Sequence, residues 1–86
     1  MSNSRAATRT DDTRQTINAI VRQSLGLEKI DHAADFFAMG GDSITGMGVI
    51  SRVNEIFSVG LTFEDVADSF SVETVVRIIE ERRSVA

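Results

Sequence analysis

Ser43 is the residue of this chain whose sequence neighbours most strongly indicate a chemical role. Two glycines, Gly40 and Gly41, precede Asp42 and Ser43. Glycine permits tight turns and positive φ angles, and aspartate and serine are both favoured at the first position of a helix. The pattern therefore predicts a turn at the glycines and a helix that begins at about Ser43, with the serine hydroxyl exposed at the corner.

A catalytic role for this serine is not supported by the rest of the sequence. A serine nucleophile needs a neighbouring base and a third group that orients the base, but His32 is the only histidine and it precedes Ser43. The tetrapeptide 41–44 resembles the start motif of GDSL-type esterases, which have a larger α/β fold and a histidine late in the chain. With no cysteine and with scattered acids, neither a thiol nucleophile nor a metal site is predicted. We predict that the protein is not an enzyme and that another enzyme modifies Ser43.

Length and composition indicate one small helical domain. The chain has 86 residues, no proline, tryptophan or tyrosine, and a formal net charge of −4. That charge argues against general nucleic-acid binding, which needs a basic surface. The N-terminus has no apolar signal region, and no apolar run approaches the ~20 residues that span a bilayer. We expect a cytoplasmic monomer with a disordered N-terminal tail at 1–10 and a folded domain at 11–86.

Apolar residues recur at three- and four-residue spacing in three segments, which predicts three longer helices. A short fourth helix is predicted after Thr62, because this threonine and the acids behind it resemble a helix start. Gly26 is the expected C-cap of the first helix. The predicted spans are 11–25, 43–57, 63 or 64 to 69, and 72 onward. The fold class is therefore all-α: a small antiparallel bundle of three longer helices plus one short helix, with a long loop between helices one and two.

The loop at 26–42 is long for a small domain, which is uncommon unless the loop is functional or anchored. At least one of Phe36 and Phe37 is expected in the core, because large aromatic side chains dominate small cores. The alternative is that the two rings form an exposed binding patch. His32 is expected to be solvated rather than to contact a ligand. The expected apolar anchors of the loop are Leu27, Ile30, Phe36 and Phe37.

The start of the second helix leaves two questions open. Ile44 and Met47 lie partly off its main apolar stripe, so Met47 either fills the core or contacts a partner through its adaptable thioether. Gly46 and Gly48 each cost roughly 1 kcal/mol relative to alanine inside a helix. These glycines either admit a close neighbour or have no role, and the sequence favours neither alternative.

The decapeptide 35–44, Asp-Phe-Phe-Ala-Met-Gly-Gly-Asp-Ser-Ile, resembles the modification site of acyl and peptidyl carrier proteins. The resemblance covers nearly all of 14–83, including the long loop and the segment 70–75. In that family a phosphopantetheinyl transferase moves a 4′-phosphopantetheine group from coenzyme A to the serine that matches Ser43, in a magnesium-dependent reaction. The resemblance implies that this covalent arm carries an acyl or aminoacyl group as a thioester.

The same resemblance implies roles for the neighbours of Ser43. Gly41 and Asp42 would lie beside the attached group, with Asp42 either capping the helix or meeting the metal-bound complex of the transferase. Ile44 and Met47 would contact partner enzymes. A helix N-terminus, with its free N–H groups and the positive end of its dipole, suits a phosphodiester at Ser43.

The glycine pair before Asp-Ser-Ile is similar to the peptidyl carriers of nonribosomal peptide synthesis. Fatty-acid carriers usually have a single glycine and a strongly acidic second helix, whereas this helix carries Arg52 and Glu55. The resemblance implies a peptidyl carrier in antibiotic-type biosynthesis. The start at Met1 without flanking domains leads us to expect a free-standing carrier, although an excised domain would look similar. An adenylation or other acyl-loading enzyme would charge it, and condensation, ketosynthase or tailoring enzymes would use the cargo. The alternatives are a polyketide or fatty-acid carrier, or an interaction module without a covalent cofactor, in which Ile44 and Met47 dock a partner helix.

Overall fold

The computed structural model describes residues 4–85, and it describes the side chains of residues 9–83. Over this range the chain is helical, without a β-strand. The elements are α1 (Ser4–Leu25), α2 (Ser43–Phe57), a single 3-10 turn (Glu64–Val66) and α3 (Val72–Val85). The all-α fold and the long loop between the first two helices are confirmed.

The observed helix ends agree with those predicted from the sequence where a capping residue is present. α2 covers the predicted span 43–57, and α1 ends at Leu25 because Gly26 takes a φ of +70°. The N-terminal end of α1 differs, because residues 4–10 were expected in a disordered tail and are helical here. Alanine and arginine, both strong helix formers, occur in this stretch, and no proline interrupts it. The remaining tail residues, 1–3, lie outside the described range.

The predicted short helix is only a 3-10 turn, so the described bundle has three α-helices rather than four. The turn covers Glu64–Val66 and does not continue to Ser69. The N–H of Phe70 donates to Oδ1 of Asp35 at 2.8 Å instead of to a carbonyl one turn earlier. The backbone that follows the 3-10 turn is thus held by a distant loop.

The core lies between the helices, with α1 packed against both α2 and α3. Two large apolar residues are exposed: Leu27, an expected anchor of the loop, is 40% exposed, and Ile56 on α2 is 50% exposed. The N–H of Leu27 closes the end of α1 by donating to the carbonyl of Arg22 at 3.1 Å, which leaves the Leu27 side chain at the surface. The largest fully buried side chains are Phe36, Phe70, Ile17, Ile79, Val49, Val53, Val66, Val72 and Val75.

Asp35 and Phe36 fix the long loop to the segment before α3. Oδ2 of Asp35 accepts the N–H groups of Phe37 and Ala38 at 2.9 and 3.3 Å, and Oδ1 accepts that of Phe70. The N–H of Phe36 donates to the carbonyl of Phe70 at 2.6 Å. One carboxylate thus satisfies three backbone donors in a stretch that has no helix or strand to satisfy them.

Aromatic rings pack beneath this loop. Phe36 is fully buried, with its centroid 4.9 Å from that of Phe70, which confirms the expected core anchor. Phe37 remains 43% exposed and meets both rings edge to face at 5.8 Å. Such edge-to-face pairs stabilise beyond the area they bury. The adjacent phenylalanines therefore divide into one core anchor and one surface ring.

His32 is partly solvated, since its side chain is 37% exposed, and it also contacts two helices. Its Nε2 lies 3.0 Å from Oδ1 of Asn18 on α1, and its carbonyl accepts the N–H of Glu73 on α3 at 3.0 Å. Arg14 of α1 also donates to Glu73, at 2.9 Å. The first half of the loop is therefore held across the seam between α1 and α3.

The connection from α2 to α3 is held by Arg82. This side chain donates to Oδ1 of Asp65 at 2.7 Å and to the carbonyls of Val59 and Gly60. The hydrogen bond from Arg82 is the largest cause that lowers the pKa of Asp65 to about 2. The ionised pair fixes the 3-10 turn against the last turns of α3.

Replacing Asp35 tests the anchoring of the long loop. We expect Asp35→Ala to lower the free energy of unfolding by about 2 kcal/mol, because part-buried backbone donors lose their acceptor. Asp31→Ala is the matched control, since Asp31 is exposed and, among the described residues, its carboxylate accepts only the N–H of Ala33. Urea unfolding of the two variants measures the difference. Equal losses for both would contradict the assigned role of Asp35.

Candidate functional site

A reciprocal cap sets the start of α2. Oδ1 of Asp42 accepts the N–H of Thr45 at 2.9 Å, and Oγ1 of Thr45 accepts the N–H of Asp42 at 3.0 Å. Asp42 has extended backbone angles, and Ser43 is the first residue of the helix. The capping alternative for Asp42 is therefore present in the structure, and the predicted start at Ser43 is confirmed.

The cap also keeps a negative charge at this helix end. The backbone hydrogen bond from Thr45, followed by that from its side chain, lowers the pKa of the Asp42 carboxyl. Asp42 is therefore ionised at neutral pH, and the positive end of the α2 dipole stabilises its charge.

Glycine is required at each of the two positions before Asp42, for a different physical reason. Gly40 has a φ of +107°, which residues with a side chain rarely adopt. Gly41 lies directly against the buried ring of Phe36, and a Cβ at this position would overlap three ring carbons. The N–H of Gly41 also donates to the carbonyl of Phe36 at 3.1 Å. The backbone thus turns at Gly40 and passes over the aromatic anchor at Gly41.

Ser43 presents its hydroxyl to solvent at this corner. The residue is exposed, and within the described part of the chain no side chain or backbone group hydrogen-bonds its Oγ. His32 contacts Asn18 on α1, so it is engaged elsewhere. No group of three or more metal-ligating side chains is found among the described residues. The arrangement offers an accessible oxygen at a helix N-terminus without its own base.

Apolar side chains follow Ser43 on the surface of α2. Ile44 is 81% exposed and Met47 is 61% exposed. Met47 therefore does not fill the core, and the partner-contact alternative remains. Two apolar side chains one turn apart and open to solvent offer a small contact surface next to the serine.

Gly46 and Gly48 of α2 differ in whether a neighbour lies close to them. Gly46 is buried, and a Cβ there would lie 3.1 Å from the ring of Phe63 and 3.4 Å from that of Phe70. Gly46 therefore admits a close neighbour, as one alternative proposed. Gly48 faces open space, with nothing within 4 Å of an added Cβ.

Two residues that shape the site were not identified from the sequence. Thr45 completes the cap, and its signal was a hydroxyl side chain three residues after Asp42. Asp35 holds the loop. Its signal was the tendency of an aspartate in a loop to accept the backbone N–H two residues later, here that of Phe37. Both signals are local, so both residues could have been found.

Two alanine substitutions test the close approach at Gly41. We expect Gly41→Ala to lower the free energy of unfolding by about 1–3 kcal/mol, because its Cβ displaces the Phe36 ring. Gly48→Ala is the control and should raise it by roughly 1 kcal/mol, because alanine favours the helix and meets no neighbour. Urea unfolding gives both values. A neutral Gly41→Ala would contradict the described packing.

Comparisons with known proteins agree with this geometry. Chondramide synthase cmdD of Chondromyces crocatus is 25% identical over 69 residues, which are 80% of this chain and 2% of that synthase. This chain thus spans a small part of its curated relative. A chain in the structure of the phosphopantetheine transferase Sfp with coenzyme A and a peptidyl carrier protein is similar in fold. Its TM-score is 0.76 at 19% identity, with 80% of this chain and 90% of that chain covered.

A second solved structure shows the same fold. BlmI, a type-II acyl-carrier protein from Streptomyces verticillus involved in bleomycin biosynthesis, has a TM-score of 0.77 at 23% identity, with 96% of both chains covered. Among the described residues, none of the helices combines the length and hydrophobicity that crossing a bilayer requires.

The family model described as the phosphopantetheine attachment site matches residues 15–80, which is most of the chain. The site fits such a group, because Ser43 offers an exposed hydroxyl at the first residue of a capped helix. An attached phosphodiester would lie at the positive end of the α2 dipole. The chain belongs to the phosphopantetheine-attachment family, the carrier proteins, and its cofactor is a covalent 4′-phosphopantetheine.

Proposed function

We propose that the protein is a peptidyl carrier, with 4′-phosphopantetheine attached to Ser43, in nonribosomal peptide or related natural-product biosynthesis. The proposal rests on the exposed hydroxyl of Ser43, which lies at the capped start of α2 and has no hydrogen-bond partner among the described residues. The arm supplies the thiol that this chain, which has no cysteine, lacks. An aminoacyl or acyl group is carried on that thiol as a thioester.

Attachment uses the side-chain oxygen of Ser43 and a catalyst supplied by a partner. Oγ forms a bond to a phosphorus of coenzyme A, the pyrophosphate bond breaks, and adenosine bisphosphate leaves. The proton of the hydroxyl passes to a phosphopantetheinyl transferase, because His32 is held by Asn18. This enzyme is the first proposed partner, and the carrier itself is not catalytic.

Asp42 and Gly41 position Ser43 in this proposal. The cap between Asp42 and Thr45 fixes the first turn of α2. Gly41 lets the preceding backbone lie on the Phe36 ring, so that the corner is supported from below. Both residues therefore lie beside the attached group and act by holding the serine at an accessible helix end.

Ile44 and Met47 are the proposed contacts for partner enzymes. Both side chains are largely exposed and lie within about one turn of Ser43. An apolar surface beside the attachment point lets a partner bury it while the arm enters the partner's active site. The proposed partners are the transferase, an adenylation or acyl-loading enzyme, and condensation, ketosynthase or tailoring enzymes. All of these would act where coenzyme A and ATP are available, in the cytoplasm.

The peptidyl type is favoured by the motif and by charge. The glycine pair precedes Asp42, and α2 itself carries one acid, Glu55, and one base, Arg52. The second helix is therefore not an acidic face of the kind typical of fatty-acid carriers. The two similar solved structures include both a peptidyl and an acyl carrier, so fold similarity does not separate the types. A polyketide or fatty-acid carrier is the alternative.

Mass spectrometry tests the attachment site. Incubation with coenzyme A, magnesium and a broad-specificity transferase should add one phosphopantetheinyl mass to the wild type and none to Ser43→Ala. Ser51→Ala is the matched control, because Ser51 is another exposed serine of α2, and it should gain the full mass. An unchanged wild type, or a gain retained in folded Ser43→Ala, would contradict the proposal and favour a module without a covalent cofactor.

Loading of the modified protein tests the peptidyl type. With ATP and a panel of amino-acid-activating adenylation enzymes, we expect an aminoacyl mass that hydroxylamine removes, as it does for thioesters. Unmodified protein is the control and should gain nothing. Acceptance of malonyl or fatty acyl groups alone would reverse the assignment in favour of a polyketide or fatty-acid carrier.

A further inference from the structure

An open groove runs along the side of the bundle away from Ser43. One part, about 430 Å³, lies between α1 and α2, and a second part, about 280 Å³, continues towards the end of α3. Both parts include Asp12, Thr16 and Ile56, so they form one surface. Its α1 edge extends from Arg9 to Gln23, which at the helical rise is about 21 Å. We refer to this surface as the α1/α2 groove.

Unpaired cations concentrate in the α1/α2 groove. Arg9, Arg52 and Arg83 line it, and none of the three has a carboxylate partner among the described residues. Asp12 is the one acid that lines it, so the groove is basic although the whole chain has a net charge of −4. The arginines that do pair with a carboxylate lie outside the groove: Arg14, Arg77 and Arg82.

Arg83 is held in place without a counter-ion. One of its Nη atoms donates to Oγ1 of Thr13 at 3.4 Å, and its guanidinium lies 5.8 Å from the ring centroid of Phe57. Thr13 is itself buried and donates to the carbonyl of Arg9 at 3.0 Å. A guanidinium ordered in this way loses little side-chain entropy when a carboxylate binds to its remaining N–H groups.

Ile56 provides an apolar centre between these cations. It is 50% exposed, although it continues the apolar stripe of α2, and it lines both parts of the groove. Ala19 and Ile20 of α1 line the groove opposite it. Apolar side chains on both edges give the apolar face of a partner helix a surface to cover.

We propose that the α1/α2 groove binds an acidic amphipathic helix of a partner protein, with an aliphatic side chain on Ile56 and carboxylates on Arg52 and Arg83. Charge complementarity selects this partner, and a 14-residue helix of about 21 Å matches the length of the groove. Along α2, Arg52 and Ile56 lie about 14 and 20 Å from Ser43. The partner therefore binds without the cofactor and leaves the Ser43 end open to enzymes.

An NMR titration of the unmodified, full-length protein tests this proposal. The probe is a synthetic 14-residue helical peptide with leucines at i, i+3 and i+7 and glutamates on both flanks. A second peptide with lysine in place of glutamate is its control. We expect amide shifts at Thr16 and Ile56 with the acidic peptide alone, weakened by added salt. Ser43→Ala should bind equally, which separates this result from any failure of the proposed function.

Charge reversal identifies the binding side chains. Arg52→Glu combined with Arg83→Glu should weaken binding about tenfold, and Arg52→Glu alone should weaken it severalfold. Arg52 has no hydrogen-bond or ion-pair partner in the described chain, so its replacement should not disturb folding. Lys29→Glu is the matched control, because Lys29 is exposed, unpaired among the described residues and outside the groove. This variant should bind as the wild type does.

Several outcomes would overturn the proposal. They are the absence of shifts, shifts confined to the Ser43 end, equal binding of the lysine peptide, and equal weakening by Lys29→Glu. Sedimentation of the protein without peptide tests whether a second copy of this chain occupies the α1/α2 groove. A dimer that Arg52→Glu dissociates would assign the groove to self-association and overturn the partner helix.

Discussion

The corner that presents Ser43 depends on one contact. This is the close approach of the Gly41 backbone to the buried ring of Phe36. A side chain at position 41 would occupy the space of the ring, so this backbone can lie there only as glycine. The Asp35 carboxylate accepts the N–H of Phe70, and the N–H of Phe36 donates to the Phe70 carbonyl, so these two bonds hold the ring in place. A long loop without regular structure thereby delivers Asp42 to one defined position, where it caps α2.

The two ends of α2 serve different purposes in this account. The first turn carries Ser43 and exposes Ile44 and Met47, and aromatic rings that pack against Gly46 support it from within. The last turns contribute Ile56 to a basic groove on another side of the bundle. The length of one helix therefore separates Ser43, the proposed attachment point, from the groove. If the carrier meets several enzymes in succession, as we propose, such separation helps because one contact need not displace the other.

Much of the fold could be predicted because its signals are local. Asp42 and the apolar stripe defined α2, Gly26 ended α1, and the motif at 35–44 led to the family. Other features depend on residues distant in sequence. Asp35 accepts the N–H of Phe70 from a distant loop, and Gly46 lies against the ring of Phe63. The exposure of Ile56 depends on how α1 and α2 pack together, which periodicity within one helix does not determine.

Fragment-ion mass spectrometry of the modified wild-type protein locates the cofactor, which we propose Ser43 carries. Trypsin, which cleaves after lysine and arginine, releases residues 30–52 as one peptide that contains both Ser43 and Ser51. We expect the fragment ions to place the phosphopantetheinyl group between Asp42 and Ile44. Fragments that place it on Ser51, on Thr45 or on any other peptide would rule out attachment at Ser43.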